Sequence, residues 1–215
     1  MAETDLHRLL MIDLHQTLQD WFAADPNVYA SGNLLLFYEE GNKRRHVSPD
    51  VMMVFGVPNR IRENYLLWEE GRGPNVVIEL TSASTRREDT RQKLELYRDV
   101  LRVPEYFLFD PYGDYLTPNL QWYRLTAGAY RPMRLQDGRL RSRQLGLFLV
   151  QDGRQLRLVD PTSGNRLPTR AESRAASDRA RAEAEERARQ AEAEVERLRA
   201  ELAAVRSRVE GRNGR

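Results

Sequence analysis

Residues 5 to 23 place Leu6, Leu10, Leu14, Leu18 and Phe22 four apart, which is the spacing of one helical face, and Asp25-Pro26-Asn27 ends that helix. The pattern then changes. "NLLLFYEE" (33–40) predicts a strand, "GNKRR" a turn, and "HVSPDVMMVFGV" (46–57) a second strand. Pro49 cannot donate to a central ladder, so it belongs at a bulge or where that strand begins to pair fully. Residues 58 to 75 read as a long connection. "PNVVIELT" (74–81) is apolar without alternation, the mark of a strand covered on both faces. "STRREDTRQKLELYRDVL" (84–101) predicts a helix, with Thr85 and Glu88 at capping-box spacing and Leu94, Tyr97 and Leu101 on one face. "EYFLFDP" (105–111) is the next strand, and short strands follow within 120–133 and 146–161. Helix, hairpin, strand, helix, strand and further β structure make a mixed α/β domain. Its strand–helix–strand unit predicts a right-handed crossover between parallel strands.

Near Pro168 the composition changes. From Arg170 onward there is no aromatic and no proline, and Ala, Arg and Glu dominate. Val195, Leu198, Leu202, Val205 and Val209 alternate spacings of three and four, and Ala184, Ala188 and Ala191 extend the register upstream. Arg181 would fall at the next core position. The expectation is a domain over residues 1–167 and a C-terminal helix over 168–215 that forms a coiled coil from about residue 184 to 209. The competing reading is a single solvated helix held by Glu/Arg pairs.

Composition narrows the chemistry. The 215 residues include no cysteine, so neither disulfides nor thiolate metal sites can form. With no run of the roughly 20 apolar residues that a membrane span needs and no signal-peptide pattern, the sequence predicts a cytoplasmic protein with no membrane partner. A net charge of +2 leaves nucleic-acid binding to a local basic patch. Of 34 basic side chains only Lys43 and Lys93 are lysine. A position that needs a compact ammonium cannot take a guanidinium instead. Lys43 lies in a turn, where chance is explanation enough.

Asp50 enters one apolar strand and Glu79 ends another. Burying unpaired charge is costly, and two carboxylates on neighbouring strands push one towards protonation. A hard divalent cation resolves both problems, so the pair points to Mg²⁺ or Mn²⁺ rather than Zn²⁺. Glu79 lies about 10 Å of strand from the turn. Lys93 lies about 10 Å into the following helix, so an antiparallel return brings the two level. Two carboxylates, a divalent ion and a lysine suit phosphodiester hydrolysis, where the ion activates water and the lysine neutralises charge on phosphate oxygens. Each residue also has an ordinary reading. Glu79 and Lys93 could form a structural ion pair, and Asp50 could bond a turn after proline. Thr81, Ser82, Ser84 and Thr85 read as loop and capping residues, His7, His15 and His46 as scattered packing or surface histidines, Arg86, Arg87 and Arg91 as a solvated face, and Trp68 and Trp122 as core.

"SPD", "VVIELTSASTRREDTRQKLELY" and "VPEYFLFDP" together resemble the Uma-two family of putative restriction endonucleases, within the PD-(D/E)XK nuclease superfamily, over roughly residues 5 to 160. The resemblance implies a restriction-endonuclease-like mixed sheet flanked by helices. It implies a metal-dependent endonuclease acting on DNA, with Asp50, Glu79 and Lys93 catalytic and Asp50 and Glu79 holding Mg²⁺ or Mn²⁺. The superfamily commonly carries lysine two residues after the acid. Thr81 stands there, and Lys93 in the following helix takes that role. An upstream acid is also implied, with Glu39 and Glu40 both available. The alternatives are a catalytically inactive nuclease fold that binds nucleic acid, or a coiled-coil scaffold. For either active or scaffold protein, the tail stripe predicts a homodimer.

Overall fold

The computed structural model describes residues 4–82, 85–135 and 138–213, with side chains to 204. The chain divides into two compact units, Met1–Thr169 and Arg170–Arg215.

In the first unit, helix α1 (Asp5–Trp21) is capped by Thr4, whose side chain accepts from the His7 N–H. Its four-residue spacing turns Leu10, Leu14 and Leu18 into the core. Strands β1 (Val28–Ser31), β4 (Val51–Phe55), β6 (Val76–Leu80), β7 (Glu105–Phe109), β8 (Leu120–Thr126) and β9 (Ala129–Met133) form a six-stranded sheet in that spatial order. Within that sheet, among the described residues, only β6 and β7 pair in parallel, joined by the expected crossover. The short strands β2 (Leu36–Phe37), β3 (His46–Val47) and β5 (Tyr65–Leu66) make a small second sheet, and β10 (Arg139–Arg141), β11 (Phe148–Asp152) and β12 (Gln155–Val159) a third.

Alternation along the central strands splits the core in two. Val76, Ile78, Leu80, Phe107 and Trp122 meet α1 and the β10–β12 sheet. Val77, Tyr106 and Leu108 meet the crossover helix and the β2–β3–β5 sheet. β6 and β7 are buried along their whole length, as their unbroken apolar character requires.

Several expectations change. The strand expected over 33–40 pairs only at Leu36–Phe37, and the β1 strand before it was not anticipated. The strand expected over 46–57 is two strands broken at Ser48-Pro49-Asp50, because proline offers no N–H to the ladder. The connection 58–75 contains β5 and a short helix, α2 (Leu67–Glu70), which ends at Gly71 with a left-handed φ of 69°. The capping box does not form: the Thr85 N–H donates to the Ser82 carbonyl, and the Thr85 hydroxyl accepts from the Ser82 N–H. Ser84 lies outside the described residues. Trp122 is buried and stacks on Phe107 at 5.4 Å, whereas Trp68 is exposed at its surface.

The second unit is one helix, Arg170–Asn213. At 1.5 Å per residue it is about 66 Å long. Its surface carries Arg–Glu pairs three and four apart, among them Arg181–Glu185 and Arg197–Glu194. Val195, Leu198 and Leu202 stand in water, half exposed. The side chains of Val205 and Val209 lie outside the described residues.

Leu18 is fully buried and Leu9, on the same helix, is exposed. Leu18→Ala should cost about 2–5 kcal/mol in urea unfolding, while Leu9→Ala should change stability by about 0.5 kcal/mol or less. Equal losses would contradict this docking of α1.

Candidate active site

The alternation that places Ile78 and Leu80 towards α1 turns Glu79 to the other face, beneath the crossover helix. Glu79 is wholly buried, and both carboxylate oxygens are engaged: Lys93 Nζ contacts Oε2 at 2.9 Å and the Tyr97 hydroxyl donates to Oε1 at 2.6 Å. Lys93 also meets Asp89 Oδ1 at 3.0 Å. Asp89 is itself buried, and neither of its oxygens has a well-aligned hydrogen bond.

Asp89, Lys93 and Tyr97 are spaced by four. In an α-helix that spacing overshoots one turn by about 40° at each step. The crossover helix contains two π-type stretches, Glu88–Lys93 and Leu96–Val100, whose wider turns reduce the overshoot and keep the three side chains on one face. The Tyr106 hydroxyl, rising from β7, donates to the Asp89 carbonyl at 2.9 Å and ties this stretch to the sheet.

Asp50 joins the cluster through the backbone. Its Oδ2 accepts from the Leu80 N–H at 2.7 Å, and its own N–H approaches Glu79 Oε2 at 3.4 Å. Its Oδ1 lies 3.1 Å from His7 Nε2, so α1 orients this carboxylate. Gly32 clears the way for the Pro49-Asp50 turn: a Cβ there would stand 2.9 Å from the Asp50 carbonyl oxygen.

Burial raises the Glu79 carboxyl to about 8; the Lys93 ammonium opposes that rise, and the Asp50 and Asp89 carboxylates reinforce it. Burial also raises Asp89 above its ordinary value, with Lys93 opposing. Although burial alone would lower Lys93, the Glu79 and Asp89 carboxylates hold its ammonium well above the usual lysine range. Three buried carboxyls thus face one lysine, an arrangement with room for another positive charge. Among the described residues no group of three or more histidine or carboxylate side chains is arranged to hold a metal ion. Mg²⁺, however, is commonly held by one or two carboxylates plus waters and phosphate oxygens. Glu79 Oε2 takes both Lys93 Nζ and the Asp50 N–H, but Glu79 Oε1 and the two Asp50 oxygens each have one partner and retain a second lone pair. Thr81 Oγ1, two residues after Glu79, is buried and has no hydrogen-bond partner among the described residues. The donor set therefore fits a two-carboxylate magnesium or manganese site.

Lys93 also lines an open groove of about 650 Å³, together with Tyr38, Arg45 and His46. Glu39 is absent from the buried cluster; it bonds Asn42 and Arg45 in the exposed β2–β3 turn, and Glu40 beside it is exposed. Neither contacts Asp50, Glu79 or Lys93 through a hydrogen bond or ion pair. His46 is turned to the Lys43 carbonyl.

A family model described as putative restriction endonuclease, Uma2, matches residues 1–175. The chain belongs to the Uma2 family. The solved structures that share its fold include a putative nuclease of DUF820 from Anabaena variabilis ATCC 29413. That match is 12% identical, with a TM-score of 0.51, and covers 67% of this chain and 76% of the other. No curated protein matches. The Uma2 match takes in all of the cluster just described and only the first residues of the C-terminal helix.

Sequence reasoning about this Uma2 chain passed over His7, Asp89 and Tyr97 as parts of the site. Asp89 carried a usable signal: it stands one turn before Lys93, where an acidic partner at i, i+4 would fall. Tyr97 carried another, at the next step of four. His7 carried none, since its partner is 43 residues away.

Glu79 has a folded value above its ordinary 4.5, so between about 4.5 and 8 the folded chain binds a proton that the unfolded chain has lost. The stability this supplies is complete below 4.5 and lost as pH rises through about 8. Urea unfolding of the metal-free protein should show that decline between pH 5 and 9, and Glu79→Gln, neutral throughout, should remove it. A decline that persists in Glu79→Gln would assign it to another group.

Proposed function

We propose that this chain is a metal-dependent endonuclease that hydrolyses DNA phosphodiester bonds, with Asp50, Glu79 and Lys93 as its catalytic residues. The observation that supports it is the convergence on Glu79. A buried carboxylate adjoins Asp50 on one side and, on the other, a lysine that also lines an open groove. Membership of the Uma2 family points to the same chemistry.

In this reading Asp50 and Glu79 hold Mg²⁺ or Mn²⁺, which when bound would supply Lewis-acid stabilisation of the phosphate and activation of water. The chain's own residues do the rest. Leu80 N–H and His7 fix the Asp50 carboxylate, and the Tyr97 hydroxyl fixes Glu79. Lys93, held from behind by Asp89, presents its ammonium to phosphate oxygens entering from the groove and neutralises charge that grows on them. Thr81 is an accessory candidate, placed immediately after Leu80 with a buried hydroxyl that has no partner among the described residues.

The nuclease unit spans residues 1–167 in this reading, and the helix over 168–215 makes a homodimer through a coiled coil. The half-exposed Val195, Leu198 and Leu202 support that pairing. At about 25 cal/mol per Å² of apolar surface, covering such a stripe offers several kcal/mol before association costs. A dimer would bring two single-cut sites to one duplex.

Plasmid cleavage with Mn²⁺ tests the chemistry. Lys93→Ala should cut at least about 100-fold more slowly while retaining Mn²⁺ affinity by calorimetry, the loss typical of one electrostatic group. Lys93→Arg should recover little, given the larger planar guanidinium. Full activity in Lys93→Ala would leave Lys93 as a structural ion-pair partner only. Separately, removal of residues 170–215 should reduce the sedimenting mass to that of a single nuclease unit. An unchanged oligomeric state would exclude the helix as the dimer element.

A further inference from the structure

A second charged surface lies on the opposite face of the six-stranded sheet. In the β6–β7–β8 register Glu79 is level with Leu108, whereas Trp122 is level with Phe107, so Trp122 and Glu79 face opposite ways. Arg124 follows Trp122 on the same face, its guanidinium 4.5 Å from the indole ring. Around these two opens a cavity of about 470 Å³ whose rim carries Arg134, Arg139, Arg141 and Arg143. No carboxylate lines it among the described residues.

The packing does not account for this charge. Arg124 stands directly across from Arg131 in the β8–β9 ladder, a like-charge pairing that weakens a sheet. Among the described residues the carboxylate that meets this face is Glu105, and it is buried. It reaches Arg124 only at 3.5 Å, because its oxygens are already taken by the Ser142 hydroxyl and by the Arg143 and Gln144 N–H groups. Arg131, Arg134, Arg139, Arg141 and Arg143 make no ion pair among the described residues, and all five are exposed. The Arg124 Nε–H and the Trp122 Nε1–H are both buried, and neither has a well-aligned acceptor among the described residues. Arg139, Arg141 and Arg143 recur at every second residue, with Leu140 and Ser142 turned inward between them. Arg139 and Arg141 lie on strand β10, which sets their charges about 6–7 Å apart, and Arg143 follows in the turn after it. A row of planar forks at that interval suits several phosphates in succession rather than one.

We propose that this arginine face binds the phosphodiester backbone of a nucleic-acid segment other than the one at the Asp50–Glu79 site. The inference rests on the nucleic-acid reading of the protein. It makes the chain a two-sided binder, gripping by sequence-independent charge on one face and acting on the other.

The test uses the full chain in EDTA, so that no cutting occurs, and a fluorescently labelled 30-base-pair duplex read by anisotropy across a salt series. Arg139→Ala, Arg141→Ala and Arg143→Ala, combined, should weaken binding at least about 10-fold and flatten the slope of log affinity against log salt by as much as about 2.7, three phosphate contacts' worth. Unchanged Mn²⁺ binding checks that the triple variant keeps its fold. Equal affinity and equal slope in wild type and variant would overturn the second site while leaving the nuclease reading intact. Wild type that fails to bind the duplex at all would instead sink the nucleic-acid reading itself. If the variant binds the duplex normally but loses pyrophosphate binding that wild type shows, the face takes small anions, and the backbone proposal is wrong.

Discussion

A carboxylate in a dry core must find donors, and much of the first unit is arranged so that Glu79 does. The residue sits in a strand whose neighbours, Ile78 and Leu80, have no access to water, and it is no more exposed than they are. Its two oxygens draw Lys93 and Tyr97 down from the crossover helix. That helix adopts π-type turns over the residues that make those contacts. Asp50, across the β4–β6 ladder, anchors its own carboxylate on the next backbone N–H. Removing Lys93 would leave Glu79 and Asp89 buried without their ammonium partner, a larger penalty than the net worth of the pair. The same residues that make the unit costly to fold are the ones on which the proposed chemistry rests.

The central strand–helix–strand unit was legible because unbroken apolar runs bounded by Asn75 and Asp110-Pro111 have few other uses. Asp50, Glu79 and Lys93 were legible for a related reason: each is a charge where the local pattern asks for burial, and Lys93 is a lysine in a chain that otherwise uses arginine. The periphery was harder. Val28–Ser31 is too short and too mixed to announce a strand, and it pairs only because β4 lies alongside. "NLLLFYEE" has strand composition but little partner to pair with, so tertiary context shortened it to two residues. The π-type turns leave no mark in composition. Asp89 was hidden among the charges of "RREDTR", where only its burial separates it from its neighbours.

The two faces of the sheet carry opposite electrostatics. One holds three buried carboxyls, Asp50, Glu79 and Asp89, around the single ammonium of Lys93, beside a groove. The other displays arginines, of which Arg134, Arg139, Arg141 and Arg143 make no ion pair among the described residues. Net charge near zero conceals both, since it sums over them. Fold alone does not decide function here; a shared sheet at 12% identity fixes the architecture, and the functional claim stands on the side chains.

Everything in the functional account hangs on whether Asp50 and Glu79 share a divalent ion. Anomalous diffraction from crystals grown with Mn²⁺ tests that most directly. The account predicts one strong manganese peak bridging the Asp50 and Glu79 carboxylates, with Lys93 beside it, and no such peak in crystals of Glu79→Gln. A peak elsewhere, or the Lys93–Glu79 contact intact with no ion at saturating Mn²⁺, would contradict it.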